Sequence, residues 1–94
     1  MSVGFLVVDC LLGAGHSLKE KRRILLSLTK KMRNSYNVSV AEVEHQNLWQ
    51  RSQIAVVFVN SEAQAIEQIA TEIVRLMQSD PRFTLLNSEF RKIY

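Results

Sequence analysis

Twice in 94 residues, a run of β-branched and apolar residues leads through a serine-bearing turn into a stretch whose apolar residues recur at helical spacing, and each time a second strand-like run follows. Few folds accept that order. Residues 3–12 read as a strand, broken by Gly13-Ala14-Gly15. Ser17 then opens a capping box with Glu20, whose carboxylate is placed to return a bond to the Ser17 N–H. Leu18, Leu25, Leu28 and Met32 follow at helical spacing, which predicts a helix over residues 18–33 ending at Asn34-Ser35-Tyr36-Asn37. Residues 38–44 alternate as a second strand, residues 45–51 form a polar connection, and residues 53–60 a third strand.

In the second half, Ser61 pairs with Gln64 in another capping pattern, and Ile66, Ile69, Ala70, Ile73 and Met77 make a regular apolar stripe. Asp80-Pro81 stops that helix, and residues 83–90 give the fourth strand. The order β-α-β-β-α-β, with no linker or low-complexity stretch, implies one α+β domain over residues 1–94. The expected architecture is a ferredoxin-like sandwich: an antiparallel sheet of order 4-1-3-2 with both helices on one face.

In that topology strands one and three are central, yet both are apolar on both faces. Phe5 and Val7 alternate with Leu6 and Val8, and Val57 and Val59 with Val56 and Phe58. Helices cover one set. The other calls for a second cover, either a homodimer through the open sheet face or the tail at residues 90–94.

Charge bounds the partner. The net charge is +3, but residues 16–37 hold seven basic side chains against Glu20 alone, a net of +6 that leaves −3 for the rest. At 100° per residue Lys19, Arg22, Arg23, Lys30 and Arg33 fall on one side of the first helix with Leu26 among them, opposite Leu25, Leu28 and Met32. Such a stripe suits an anionic partner, with phosphates on the cations and Leu26 as an apolar anchor. The plain alternative is a solvated face with one exposed leucine.

The connection at residues 45–51 ends at the same edge of the sheet. A hairpin that only had to turn needs two residues such as Asn-Gly. This one carries His45, Gln46, Trp49, Gln50 and Arg51, and Trp and Arg are the types that dominate binding hot spots. The competing structural account makes Trp49 a lid over the core and pairs Arg51 with Glu42 or Glu44. The Gly13-Ala14-Gly15-His16-Ser17 turn offers backbone N–H groups to an anion before a helix N-terminus, but it lacks the Gly-Lys-Ser/Thr of a phosphate loop.

Catalytic and cofactor chemistry find little support. Cys10 stands alone in an apolar run and reads as a buried structural thiol. Cys10, His16 and His45 lack paired metal-ligand spacing, and no third residue orients a Cys–His nucleophile. A non-enzymatic protein without cofactor is therefore expected. No apolar run approaches the length of a membrane span, and no basic leader precedes the first strand, so a cytoplasmic, membrane-independent protein is expected.

At residues 17–23 (Ser-Leu-Lys-Glu-Lys-Arg-Arg) and again at residues 37–51 (Asn-Val-Ser-Val-Ala-Glu-Val-Glu-His-Gln-Asn-Leu-Trp-Gln-Arg), the chain resembles the YlxP-like family of small bacterial proteins. The resemblance covers essentially the whole length and implies a ferredoxin-like fold. Genes of that family often lie among those for transcription and translation factors, including a ribosome-binding factor, which implies a role near RNA or a ribosomal particle. The family has no established active site to carry over.

Other users of the fold fit less well. RNA-recognition motifs stack bases on aromatic residues of strands one and three, whereas Phe5 and Phe58 fall on opposite faces by parity. Acylphosphatases place an arginine in the loop after strand one. Asn60 matches their strand-three asparagine, but no arginine lies between Gly13 and Ser17. The leading expectation is an RNA- or ribosome-associated binding protein, ahead of a homo-oligomeric protein-binding adaptor and a phosphate-ester enzyme.

Overall fold

The computed structural model describes residues 1–13 and 16–94. The elements are β1 (Ser2–Leu12), α1 (Leu18–Ser35), β2 (Val38–Glu44), β3 (Arg51–Asn60), α2 (Ala63–Gln78) and β4 (Phe83–Lys92). The sheet runs β2-β3-β1-β4, with every neighbouring pair antiparallel. This is the expected ferredoxin-like order, with elements extended by a residue or two at several ends.

Strand alternation divides the sheet into two faces. Leu6, Val8, Cys10 and Leu12 of β1, and Ile54, Val56 and Phe58 of β3, are buried in the helix-covered core. They are joined there by Ile24, Leu28 and Met32 of α1 and by Ile66, Ala70, Ile73 and Met77 of α2. The α2 stripe is the one its spacing predicts. On α1 the buried set is Lys21, Ile24, Leu28 and Met32, while Leu18 and Leu25 are only half-buried. Gly4 lies directly beneath Ile66 of α2. A Cβ there would stand 2.5 Å from Ile66 Cγ2 and 2.6 Å from a Phe58 ring carbon, so no side chain fits.

Three local expectations are corrected. Ser17 Oγ does accept the Glu20 N–H at 3.2 Å, but the Glu20 carboxylate accepts the N–H of His16 at 3.0 Å rather than that of Ser17. The second helix is capped one residue later than read: Glu62 is its N-cap, and Asn60 Oδ1 accepts the Glu62 N–H at 3.0 Å, so Ser61 and Gln64 form no box. The C-terminal residues do not fold over the open face. They prolong β4 beside β1, with the Ile93 N–H donating to Val3 O (2.9 Å) and the Val3 N–H to Tyr94 O (3.3 Å), while Phe90 stacks on Phe58 under the helices. The open face thus keeps Val57 and Val59 exposed beside half-buried Phe5 and Val7.

Candidate functional site

Antiparallel pairing carries the C-terminal ends of β1 and β2, the start of β3, the N-terminus of α1 and the start of β4 to one edge. The Leu12 N–H donates to Gln50 O (2.9 Å) and the Gly13 N–H to Arg82 O (3.0 Å), which tie β1 to the residue 45–51 connection and to the turn before β4. That turn is held by Asp80, which accepts three side-chain bonds and the backbone N–H of Arg82. These bonds hold the Asp80 carboxyl below its ordinary range.

The group that organises this edge is Lys21, one position beyond the expected capping pair. Its side chain is 1% exposed. The ammonium donates to three backbone carbonyls of the connection, those of His45 (2.7 Å), Leu48 and Arg51 (2.8 Å), and lies 2.7 Å from Glu42 Oε2. Ser52 Oγ donates to the same carboxylate oxygen at 2.6 Å. The connection is therefore wrapped around a buried cation. His45 takes a left-handed backbone (φ 66°) so that its carbonyl can accept both Lys21 and the Leu48 N–H. A buried charge is tolerable only when paired and fully hydrogen-bonded, and Lys21 meets that condition.

Around this knot stand the residues singled out from sequence. Trp49 is 37% exposed and lies outside the buried core, its ring meeting His16 edge-on at 5.5 Å. It is not a lid. Gln46 and Gln50 are exposed. Arg51 is the first residue of β3 rather than part of the loop, and its guanidinium approaches Asp9 (4.0 Å) instead of Glu42 or Glu44. His45 Nε2 stands 3.9 Å from the same Asp9 oxygen, and Gln53 Nε2 donates to the other at 3.3 Å. Of the Gly13–Ser17 turn, Ala14 and Gly15 lie outside the described residues, so the anion reading made for it is not addressed. Cys10 is fully buried, donates to Ser52 O at 3.6 Å, and has its thiol pushed up to about 11, chiefly by burial and then by the nearby Asp9 and Glu42 carboxylates.

The basic stripe runs away from this edge. Lys19, Arg22, Arg23, Lys30 and Arg33 are all exposed, and Leu26, in their midst, is 68% exposed. The stripe lies diametrically opposite the buried Lys21, Ile24, Leu28 and Met32. Among the described residues none of the five pairs with a carboxylate, and Arg33 spends one N–H on Val40 O at 3.4 Å. Lys21, counted in the basic excess of this segment, is withdrawn from it: it is buried and neutralised by Glu42. No helix among the described residues is long and apolar enough to cross a membrane.

A family model described as "Protein of unknown function (DUF503)" matches residues 3–90. The chain belongs to the DUF503 family. It is 30% identical over 79 residues to "Uncharacterized protein YlxP" of Bacillus subtilis (strain 168), covering 84% of this chain and 86% of that protein, in accord with the YlxP-like resemblance of residues 17–23 and 37–51. Among solved structures, At3g17210 of Arabidopsis thaliana superposes with a TM-score of 0.51 at 14% identity, over 98% of this chain and 93% of that one. That likeness concerns the fold. The de novo designed protein Foldit4 aligns over 100% of this chain and 98% of its own, with a TM-score of 0.48 and 14% identity. For this DUF503 domain, the exposed stripe of α1 and the Lys21-centred connection are thus the features to explain.

Proposed function

We propose that this protein binds RNA, with the phosphate backbone on the exposed stripe of α1 and Trp49 contacting the same strand near the helix N-terminus. The observation that carries the reading is the stripe itself. Five cations share one helix face with no carboxylate among them, whereas solvated faces ordinarily mix signs. From Lys19 to Arg33 the stripe is about 21 Å long, room for several phosphates of one strand.

The connection supports the reading from a second side. Lys21 fixes its backbone, so Trp49 is held half-exposed at the end of the stripe without cost in loop ordering on binding. An exposed indole near a basic helix is a stacking platform for an unpaired base. The sheet is not the platform. Phe58 is sealed under the helices, and only Phe5 faces out. Binding is the reading this geometry favours, since the five stripe cations are exposed and, among the described residues, none pairs with a carboxylate.

Fluorescence anisotropy with a labelled single-stranded RNA of mixed sequence tests it. Changing Lys19, Arg23 and Lys30 together to Gln alters only exposed positions. Binding should fall by about tenfold or more with the thermal midpoint unchanged. Wild-type protein that fails to bind, or a triple variant that binds as well, rules the reading out.

A further inference from the structure

The open face of the sheet has a register that fits itself. Strand pairing sets Ser39, Val57, Phe5 and Arg91 side by side across β2, β3, β1 and β4, and the next row is Ala41, Ala55, Val7 and Glu89. In both rows the β2–β3 half is small and the β1–β4 half is large. Phe5, Val7, Glu89, Arg91 and Ile93 line a hollow of about 400 Å³ on that face, whereas Val57 and Val59 stand out from it, 37% and 49% exposed.

We propose that two copies of this chain pack open face to open face about a two-fold axis running along the strands. Such an axis exchanges left and right within each row and keeps the rows level. It sets Val57 against the partner copy's Phe5, Ala55 against its Val7, Ala41 against its Glu89 and Ser39 against its Arg91. Small meets large in every pair, and the exposed valines enter the hollow. Sheets packed this way lie about 10 Å apart with interdigitated side chains.

Charge and area support a second copy as the occupant. Glu89 and Arg91 are paired within each chain and bring no net charge to the contact, so self-association meets no repulsion. The basic stripe of α1 would repel its own kind and remains outward in both copies. A third row bears Gln53 beside Asp9. The axis sets the partner copy's Gln53 opposite this Asp9–Gln53 pair, so polar side chain meets polar side chain in that row as well. The sheet face measures about 19 Å by 33 Å, roughly 600 Å² per copy, which reaches the lower end of stable interfaces.

Sedimentation velocity across the micromolar range, with no nucleic acid present, tests this independently of RNA binding. The expected result is a species of twice the 10.8 kDa chain mass, converted to monomer by Val57→Lys with an unchanged circular-dichroism spectrum. As a check that does not depend on Val57→Lys folding, an Ala55→Cys chain mixed with a Val7→Cys chain should be joined into a heterodimer by a short bis-maleimide linker, which spans the roughly 10 Å between facing sheets that a direct disulfide cannot. A wild-type monomer throughout, a dimer untouched by Val57→Lys, or a mixed pair that fails to cross-link overturns the proposal.

Discussion

Replacing Lys21 with Met keeps the reach of the side chain along Ile24 and removes the ammonium. The carbonyls of Leu48 and Arg51 then lose the ammonium, that of His45 keeps only the Leu48 N–H, and Glu42 retains only Ser52 Oγ. Breaking a buried ion pair from one side costs about 3–5 kcal/mol. Glu42 is 19% exposed, so water can reach part of its carboxylate and the lower end applies, about 3 kcal/mol. A domain of this size has about 5–14 kcal/mol in total, so the loss is a large fraction of it. Urea unfolding followed by fluorescence of Trp49, the chain's only tryptophan, reads both the midpoint and the surroundings of the loop. The native emission should shift as the connection loosens. Adding Glu42→Leu to Lys21→Met should restore part of the stability, because an apolar pair removes the stranded charge. A Lys21→Met variant that loses under about 1 kcal/mol with unaltered emission would show that the connection is not organised by the cation.

Trp49→Ala should separate stability from binding: with the ring outside the core, unfolding should change by about 1 kcal/mol or less, against about 3–5 kcal/mol for a core lid, while RNA affinity falls. A large loss of stability would return Trp49 to the core. Cys10 should resist iodoacetamide in the native protein at pH 8 and react once urea is added, and rapid native labelling would contradict its burial. The same thiol sets a pH effect. Ionising near 9.0 when unfolded but only at about 11 when folded, it keeps a proton that the unfolded chain has lost, so stability should decline as pH climbs from about 9 toward 11. A Cys10→Ala variant should show a shallower decline, with the part due to Tyr36, whose hydroxyl is also pushed up, remaining.

The frame of the fold is legible because alternation and helical spacing are dictated by burial. β1, β3 and the α2 stripe follow directly from where Val, Ile, Leu and Met recur. What escaped is Lys21 and Glu42, since a lysine in a basic run and a glutamate in a half-polar strand both pass as solvated. The signal was positional rather than chemical. Lys21 stands three, seven and eleven residues before Ile24, Leu28 and Met32, on the buried stripe, and Glu42 shares the parity of Val38 and Val40 on β2. Two opposite charges, each at a buried phase of its own element, are a pair that sequence can reveal. The role of Asp9 was hidden for a different reason. Its contacts come from His45, Arg51 and Gln53, more than thirty residues away, and depend on a register that composition does not fix. The helix-two cap slipped by one residue: Glu62 is the N-cap without a side-chain cap bond, and Asn60 Oδ1 accepts its N–H across the turn before it.

The central claim is that the five-cation stripe of α1 is a phosphate-binding surface, and the salt dependence of RNA affinity tests it most directly. Each phosphate neutralised on a single strand contributes about −0.7 to the slope of log K against log salt. Five contacts from Lys19, Arg22, Arg23, Lys30 and Arg33 predict a slope near about −3.5, falling to about −1.4 when Lys19, Arg23 and Lys30 become Gln. Affinity that is independent of salt, or a slope unchanged in the triple variant, would contradict the account.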